Sequence, residues 1–136
     1  MGSVPMFVRR RVVRAMLVHA RRAAPHECCG LLSGTAHRVE LASQARNTAE
    51  TPATRYLVEP ADHFAALKQA RRTGREIVGA YHSHPASLPM PSSTDRADAH
   101  PDFLYVIVSL VDCRRRIRGW RLERGNFVEV RLVIVS

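Results

Sequence analysis

The amino-acid sequence predicts one α/β (α+β) domain over residues 1–136, a mixed central β-sheet packed by helices. Three observations carry this. One segment repeats apolar residues at helical spacing, and a second is bracketed as a helix by Pro60 and Gly74. Several short runs have the length and alternation of strands. One of these, "FLYVIVSLV", is almost wholly apolar, as a strand covered on both faces needs to be.

The elements follow in chain order. Residues 9–24 place Val12 or Val13, Met16, Ala20 and Ala23 on one helical face and arginines on the other, and Pro25 stops the helix. "ECCGLLSGTAHRVELAS" reads as two strands joined by a turn near Gly34-Thr35, and "RYLVEP" as a further short strand. Pro60 is placed to open the helix "PADHFAALKQARRTG", which Gly74 can close. "EIVGAYHSHP" is a strand, and "SSTDRADAH" a short helix ended by Pro101. "RRIRGWRLE" and "FVEVRLVIV" flank Arg124-Gly125-Asn126 as a hairpin.

A chain of 136 residues with 46% apolar and 24% charged residues can bury one core. No apolar run is long enough to span a bilayer, and the arginine-bearing N-terminus lacks the apolar core of a signal peptide. Cys28, Cys29 and Cys113 are odd in number, with two adjacent, which suits free thiols in a reducing, cytoplasmic setting. The net charge is +9, and every one of the 21 basic residues except Lys68 is arginine. The arginines are scattered, as on a solvated surface, and only "CRRRIRGWR" gathers them. An acidic partner fits this balance, but charge alone does not choose one.

Chemistry concentrates in "AYHSHPASLPMPSSTD". Alternate residues of a strand share a face, so His82 and His84 point the same way, together with Val78 and Ala80. Two such imidazoles can bind one zinc ion, which prefers nitrogen, sulfur or oxygen ligands in a tetrahedron. Asp95, eleven residues beyond His84 across a loop stiffened by Pro85, Pro89 and Pro91, is the candidate third ligand. Each fragment has an ordinary reading as well. A His-x-His pair is commonly a surface or core feature, and Ser92-x-x-Asp95 also matches a helix-capping box. Glu27 starts an apolar strand, where an acid needs a partner or an exposed end. Cys29 shares its face and is a rival as a thiolate ligand.

Together these residues resemble the JAMM motif of the MPN+ metalloprotease family, in its compact prokaryotic branch. The pattern is an early Glu, then His-x-His with Pro directly after it, Ser after seven residues counted from the second His, and Asp after two more. Glu27, His82-Ser83-His84-Pro85, Ser92 and Asp95 match it without departure, and the similarity covers almost the whole chain. The resemblance implies a fold related to cytidine deaminases, zinc held by His82, His84 and Asp95, and water as the fourth ligand. It implies that Glu27, rather than Cys29, serves the reaction by holding and deprotonating that water, and that Ser92 stabilises the oxyanion. It further implies hydrolysis of a peptide or isopeptide bond at the Gly-Gly tail of a ubiquitin-like, β-grasp sulfur carrier, by deconjugation or by release of a cysteine-type adduct. An extended tail would reach such a site by adding to a sheet edge. Two other readings stand beside this: a non-catalytic MPN scaffold that binds proteins, and a basic nucleic-acid-binding relative.

Overall fold

The computed structural model describes residues 4–97 and 99–136. Its elements are β1 (Met6–Arg9), α1 (Arg10–Ala23), β2 (Cys29–Thr35), β3 (Arg38–Ala45), α2 (Pro60–Arg72), β4 (Glu76–His84), α3 (Ser93–Ala97), β5 (Leu104–Ser109), β6 (Ile117–Glu123), β7 (Asn126–Val130) and β8 (Leu132–Val135). The mixed α+β class expected from sequence is the one observed. Both long helices lie where the sequence reading puts them. In α1, Val12, Met16 and Ala20 are buried at i, i+4 and i+8. Ala24 is extended because the ring of Pro25 disfavours helical geometry in the residue before it. In α2, Pro60 occupies the first turn, where no backbone N–H partner is needed, and the Glu59 side chain accepts from the Ala61 N–H at 3.3 Å. Gly74 follows with φ +70°, the left-handed geometry that commonly closes a helix.

All eight strands belong to one sheet, in the order β7-β6-β5-β4-β2-β3-β1-β8. Strand β5 lies inside this order with all six residues buried, as its apolar run requires. Arg131 alone separates β7 from β8, yet these strands form opposite edges of the sheet. The sheet therefore coils until its edges approach one another. The Met6 N–H donates to the Arg131 carbonyl at 3.0 Å, and a methyl added at Gly119 would lie 2.7 Å from Leu132. Helix α1 packs on the inner face, where Met6, Val8, Leu32, Val39, Tyr81, Val106, Val108 and Val130 close around Met16. Helix α2 lies on the other face against β2, β3 and β4, beside a second cluster of Cys29, Leu31, Ala45, Ala80, Tyr105, Ile107 and Trp120.

Several local expectations are corrected. Strand β1 precedes α1, where the sequence reading has none; its four residues run directly into the helix, and its pairing with β3 and β8 is entirely long-range. "RYLVEP" is not a strand but contributes a single bridge, Asn47 to Val58. "FVEVRLVIV" is two strands rather than one arm of a hairpin, although the β6–β7 turn itself is as expected, with Arg124 and Gly125 both at positive φ. Helix α3 ends by Ala97, short of the expected segment, whose residue 98 lies outside the described residues. Val78 does not share a face with Ala80. The register to β2 shifts between Leu32–Gly79 and Ser33–Ile77, so Val78 bulges out and turns to the α1 side. The bulge lies upstream of Ala80, so the alternation that carries His82 and His84 is intact.

Candidate metal centre

His82 and His84 end β4 on the α2 side of the sheet and are buried, at 1% and 4% exposure. The following loop is tied down by side chains from three neighbouring strands. His84 Nδ1 lies 2.7 Å from the Leu88 carbonyl, Ser109 Oγ donates to the Ser87 carbonyl at 2.7 Å, and Trp120 Nε1 donates to the Pro89 carbonyl at 3.0 Å. This route delivers α3 back over the end of β4. There the capping box forms as expected: the Ser92 N–H donates to Asp95 Oδ2 at 2.9 Å, and the Asp95 N–H to Ser92 Oγ at 3.1 Å.

The capping oxygen of Asp95 also faces the histidines. Asp95 Oδ2 lies 3.2 Å from the Nε2 of both His82 and His84, and the two Nε2 atoms are 3.2 Å apart. A tetrahedral zinc ion with bonds of roughly 2.0–2.1 Å separates its ligand atoms by roughly 3.3 Å. The protonation pattern favours a cation at the centre. A carbonyl only accepts, so Nδ1 of His84 must carry the proton that binds Leu88, which leaves a lone pair on its Nε2. Burial lowers the pKa of His82 and keeps its imidazole neutral. Burial would raise the pKa of Asp95, but the two imidazoles facing it and the hydrogen bond from the Ser92 N–H outweigh it and hold the carboxyl well below its ordinary range. His82 Nε2, His84 Nε2 and one carboxylate oxygen thus converge where a divalent ion fits, and two neutral imidazoles with one carboxylate would leave that ion a net positive charge.

Glu27 stands beside this group. Cys29 pairs with His82 in the β2–β4 ladder, and the Ser83 N–H donates to the Cys28 carbonyl at 3.0 Å. One step further along, Glu27 comes level with His84. It is 7% exposed, and its Oε1 is buried without a hydrogen-bond partner. Burial pushes its carboxyl up to about 7, against a smaller opposing pull from His84. Cys29, on the same face, is held apart from the three-residue group. Its Sγ lies 3.8 Å and 3.7 Å from the carbonyls of Ala45 and Arg46, and burial pushes its thiol up to about 12. All three cysteines are unpaired.

The raised Glu27 value has a consequence for stability. Because the folded-state value lies above the ordinary 4.5, the native state retains a proton that the unfolded chain has already released. The cost is absent below about pH 4.5, grows as pH rises, and approaches roughly 3 kcal/mol above pH 7. In chelator-treated protein, Glu27→Gln is therefore expected to raise the unfolding free energy by one to a few kcal/mol at pH 8 (about 1–3) and to leave it nearly unchanged at pH 4.5. Urea unfolding at the two pH values measures this, and an equal effect at both would contradict it.

Sequence reasoning missed two residues. Tyr56 stacks on the ring of His82, with centroids 4.4 Å apart and planes 20° from parallel. Asn47 hydrogen-bonds the Glu27 carbonyl at 2.9 Å. Both lie in the connection between β3 and α2, which carries no periodic pattern. The one available signal was the run of turn-forming polar residues in "RNTAETPATRY". Among the described residues the sheet edges are β7 and β8, and β4, which carries the histidines, is flanked by β2 and β5. A cavity of about 890 Å³ lies alongside Tyr56 and Ala80 and is lined also by Leu31, Leu57, Phe103 and Tyr105 among others.

Comparison with known proteins agrees with this geometry. The family described as prokaryotic homologs of the JAB domain matches residues 9–123. A desampylase of Haloferax volcanii is 39% identical over 113 residues, covering 78% of this chain and 81% of that protein. A CysO-cysteine peptidase of Mycobacterium tuberculosis is 32% identical over 135 residues, covering 96% of this chain and 92% of that one. A solution structure of a Desulfitobacterium hafniense protein superposes with a TM-score of 0.87 at 27% identity, over 96% of this chain and 93% of that chain. On the matched span, the relatives and the fold, the chain belongs to the prokaryotic JAB family, the JAMM/MPN+ hydrolases.

Proposed function

We propose that residues 1–136 act as one zinc metallopeptidase domain that hydrolyses an amide bond at the C-terminal tail of a ubiquitin-like, β-grasp sulfur carrier ending in Gly-Gly. The observation that carries this reading is the convergence of His82 Nε2, His84 Nε2 and Asp95 Oδ2 at mutual distances of 3.2 Å, beside the unpartnered carboxyl of Glu27. The names of the relatives support the substrate class, since one is a desampylase and another a CysO-cysteine peptidase. Free cysteines suit a cytoplasmic site of action, and among the described residues no helix is long and apolar enough to cross a membrane.

Zinc held by His82, His84 and Asp95 would supply a water whose pKa falls to about 7 and a positive charge that polarises the substrate carbonyl. The remaining steps belong to the chain's own groups. Glu27, poised near neutrality by burial, accepts the water proton and returns it to the leaving amine. Ser92 Oγ accepts the Asp95 N–H, which leaves its own proton free to donate to the developing oxyanion. Leu88 holds the His84 ring through Nδ1, and Tyr56 covers the face of His82. The nucleic-acid reading draws less support, because two members of the arginine cluster, Arg115 and Arg118, are spent on Glu129 at 2.6 Å each.

The test is incubation of zinc-loaded protein with a β-grasp carrier whose Gly-Gly tail bears one additional C-terminal cysteine. Mass spectrometry is expected to show loss of that residue, blocked by chelator and restored by zinc. An unchanged carrier at full zinc occupancy would overturn the reading. Ser92→Ala is expected to lower kcat by roughly 10²–10³-fold with zinc retained. Its capping loss should cost about 1 kcal/mol of stability. Unchanged turnover in this variant would remove Ser92 from the oxyanion role.

A further inference from the structure

We infer that Asn47 is a positioning residue that sets Glu27 against the metal group; the inference rests on the reading of Glu27 as the proton acceptor. Glu27 precedes the first ladder residue of β2, so the sheet does not fix its backbone. The connection between β3 and α2 does so. The Glu27 N–H donates to the Pro52 carbonyl at 2.7 Å, and the Glu27 carbonyl accepts from Asn47 Nδ2 at 2.9 Å.

Asn47 also organises the connection itself. Its Nδ2 donates to the Arg55 carbonyl at 3.0 Å, while its Oδ1 accepts the N–H groups of Ala49 and Leu57, both at 3.0 Å. The partners dictate the amide orientation. Two are carbonyls that need an NH₂, and two are N–H groups that need an oxygen. Asp keeps only the acceptor half of this pattern and would set a carboxylate against two carbonyl oxygens. Ala keeps neither half. No isostere reproduces all four bonds.

The base of the connection is closed without Asn47. The Arg46 N–H and side chain reach Asp62 at 2.8, 3.0 and 3.2 Å, and the Glu59 N–H donates to the Arg46 carbonyl at 3.0 Å. The segment is thus an Ω-type loop held from inside by the Asn47 amide and by Thr48, whose N–H and hydroxyl reach the Leu57 carbonyl at 2.9 and 3.1 Å, with Glu27 on its inner side and Tyr56, stacked on His82, further along. Loss of Asn47 frees the Glu27 backbone while the loop ends, β4 and α3 stay in place. A misplacement near 1 Å at a reacting group can cost about 10²-fold in rate.

The experiment compares Asn47→Asp and Asn47→Ala with the parent protein and with Glu27→Gln. Zinc content, kcat and KM are measured on the carrier–cysteine substrate. Amide hydrogen exchange is measured on chelator-treated protein. Both Asn47 variants are expected to bind zinc fully and to lose roughly 10–100-fold in kcat with little change in KM. The Glu27 amide should exchange at least about tenfold faster, while that of Val106 in β5 should not change. Parental kcat with parental protection of the Glu27 amide would overturn the inference. So would a rise in KM alone, which would make Asn47 a contact for substrate binding rather than a positioner of Glu27. If Glu27→Gln keeps full turnover, the proton-acceptor reading fails instead, and the exchange result then decides by itself whether Asn47 anchors Glu27.

Discussion

Replacing Glu27 with Gln is expected to lower kcat by roughly 10²–10⁴-fold, the range that a general acid–base group contributes, with zinc still bound at one ion per chain. Gln has nearly the shape of Glu but cannot accept a proton. The Glu27 side chain supplies none of the three converging donor atoms. Its Oε1 has no hydrogen-bond partner to lose, and its backbone remains held by Pro52 and Asn47. The metal group and the fold should therefore survive, while the proton relay does not. Steady-state kinetics at matched zinc occupancy measures this. Parental turnover would show that another group moves the proton. The same substitution is expected to stabilise the metal-free protein at pH 8, because Gln removes a carboxyl whose pKa burial raises.

The second large effect is expected at Asp95. Asp95→Ala should abolish both zinc retention and hydrolysis. Two imidazoles alone form an incomplete site, and the loss should exceed the roughly 10–100-fold typical of outer partners. Because Asp95 also caps α3 through Ser92, a control is needed to separate the two tasks. Asp95→Asn keeps an oxygen for the Ser92 N–H and removes the negative charge. Zinc retention is expected to fall in both variants, whereas the capping loss of about 1 kcal/mol should appear chiefly in Asp95→Ala. Metal analysis after gel filtration, together with urea unfolding, checks this. Full zinc content in Asp95→Ala would show that the third ligand is another residue.

The parts of the fold that were legible are those encoded by local pattern. Met16 and Ala20 recur at helical spacing, Pro60 and Gly74 bracket α2, and "FLYVIVSLV" requires cover on both faces. What was not legible depends on partners far along the chain. The apolar run "FVEVRLVIV" has no turn-forming residue at Arg131 to mark a break. The coiling of the sheet is what sends Phe127 to Leu122 on one edge and Val133 to Phe7 on the other. The Val78 bulge is likewise a matter of register against β2, which the sequence of β4 does not announce.

The same division runs through the site. His82, His84, Ser92 and Asp95 are legible because one strand, one loop and one cap fix their spacing. Glu27 is legible as an acid that an apolar strand does not want. Its competition with Cys29 could not be settled by face alone, since both point to the α2 side. In the fold the Cys29 thiol turns to the carbonyls of Ala45 and Arg46. Asn47 and Tyr56 left no sequence signal of their own, because both act through contacts that exist only once the connection folds back over β2 and β4.

Zinc-edge X-ray absorption on protein loaded with one equivalent of zinc tests the central claim most directly. The account predicts a first shell of nitrogen and oxygen atoms at roughly 2.0–2.2 Å, with the outer scattering of two imidazoles, and loss of that shell in Asp95→Asn. A sulfur shell near 2.3 Å, or zinc held equally well without Asp95, would contradict it.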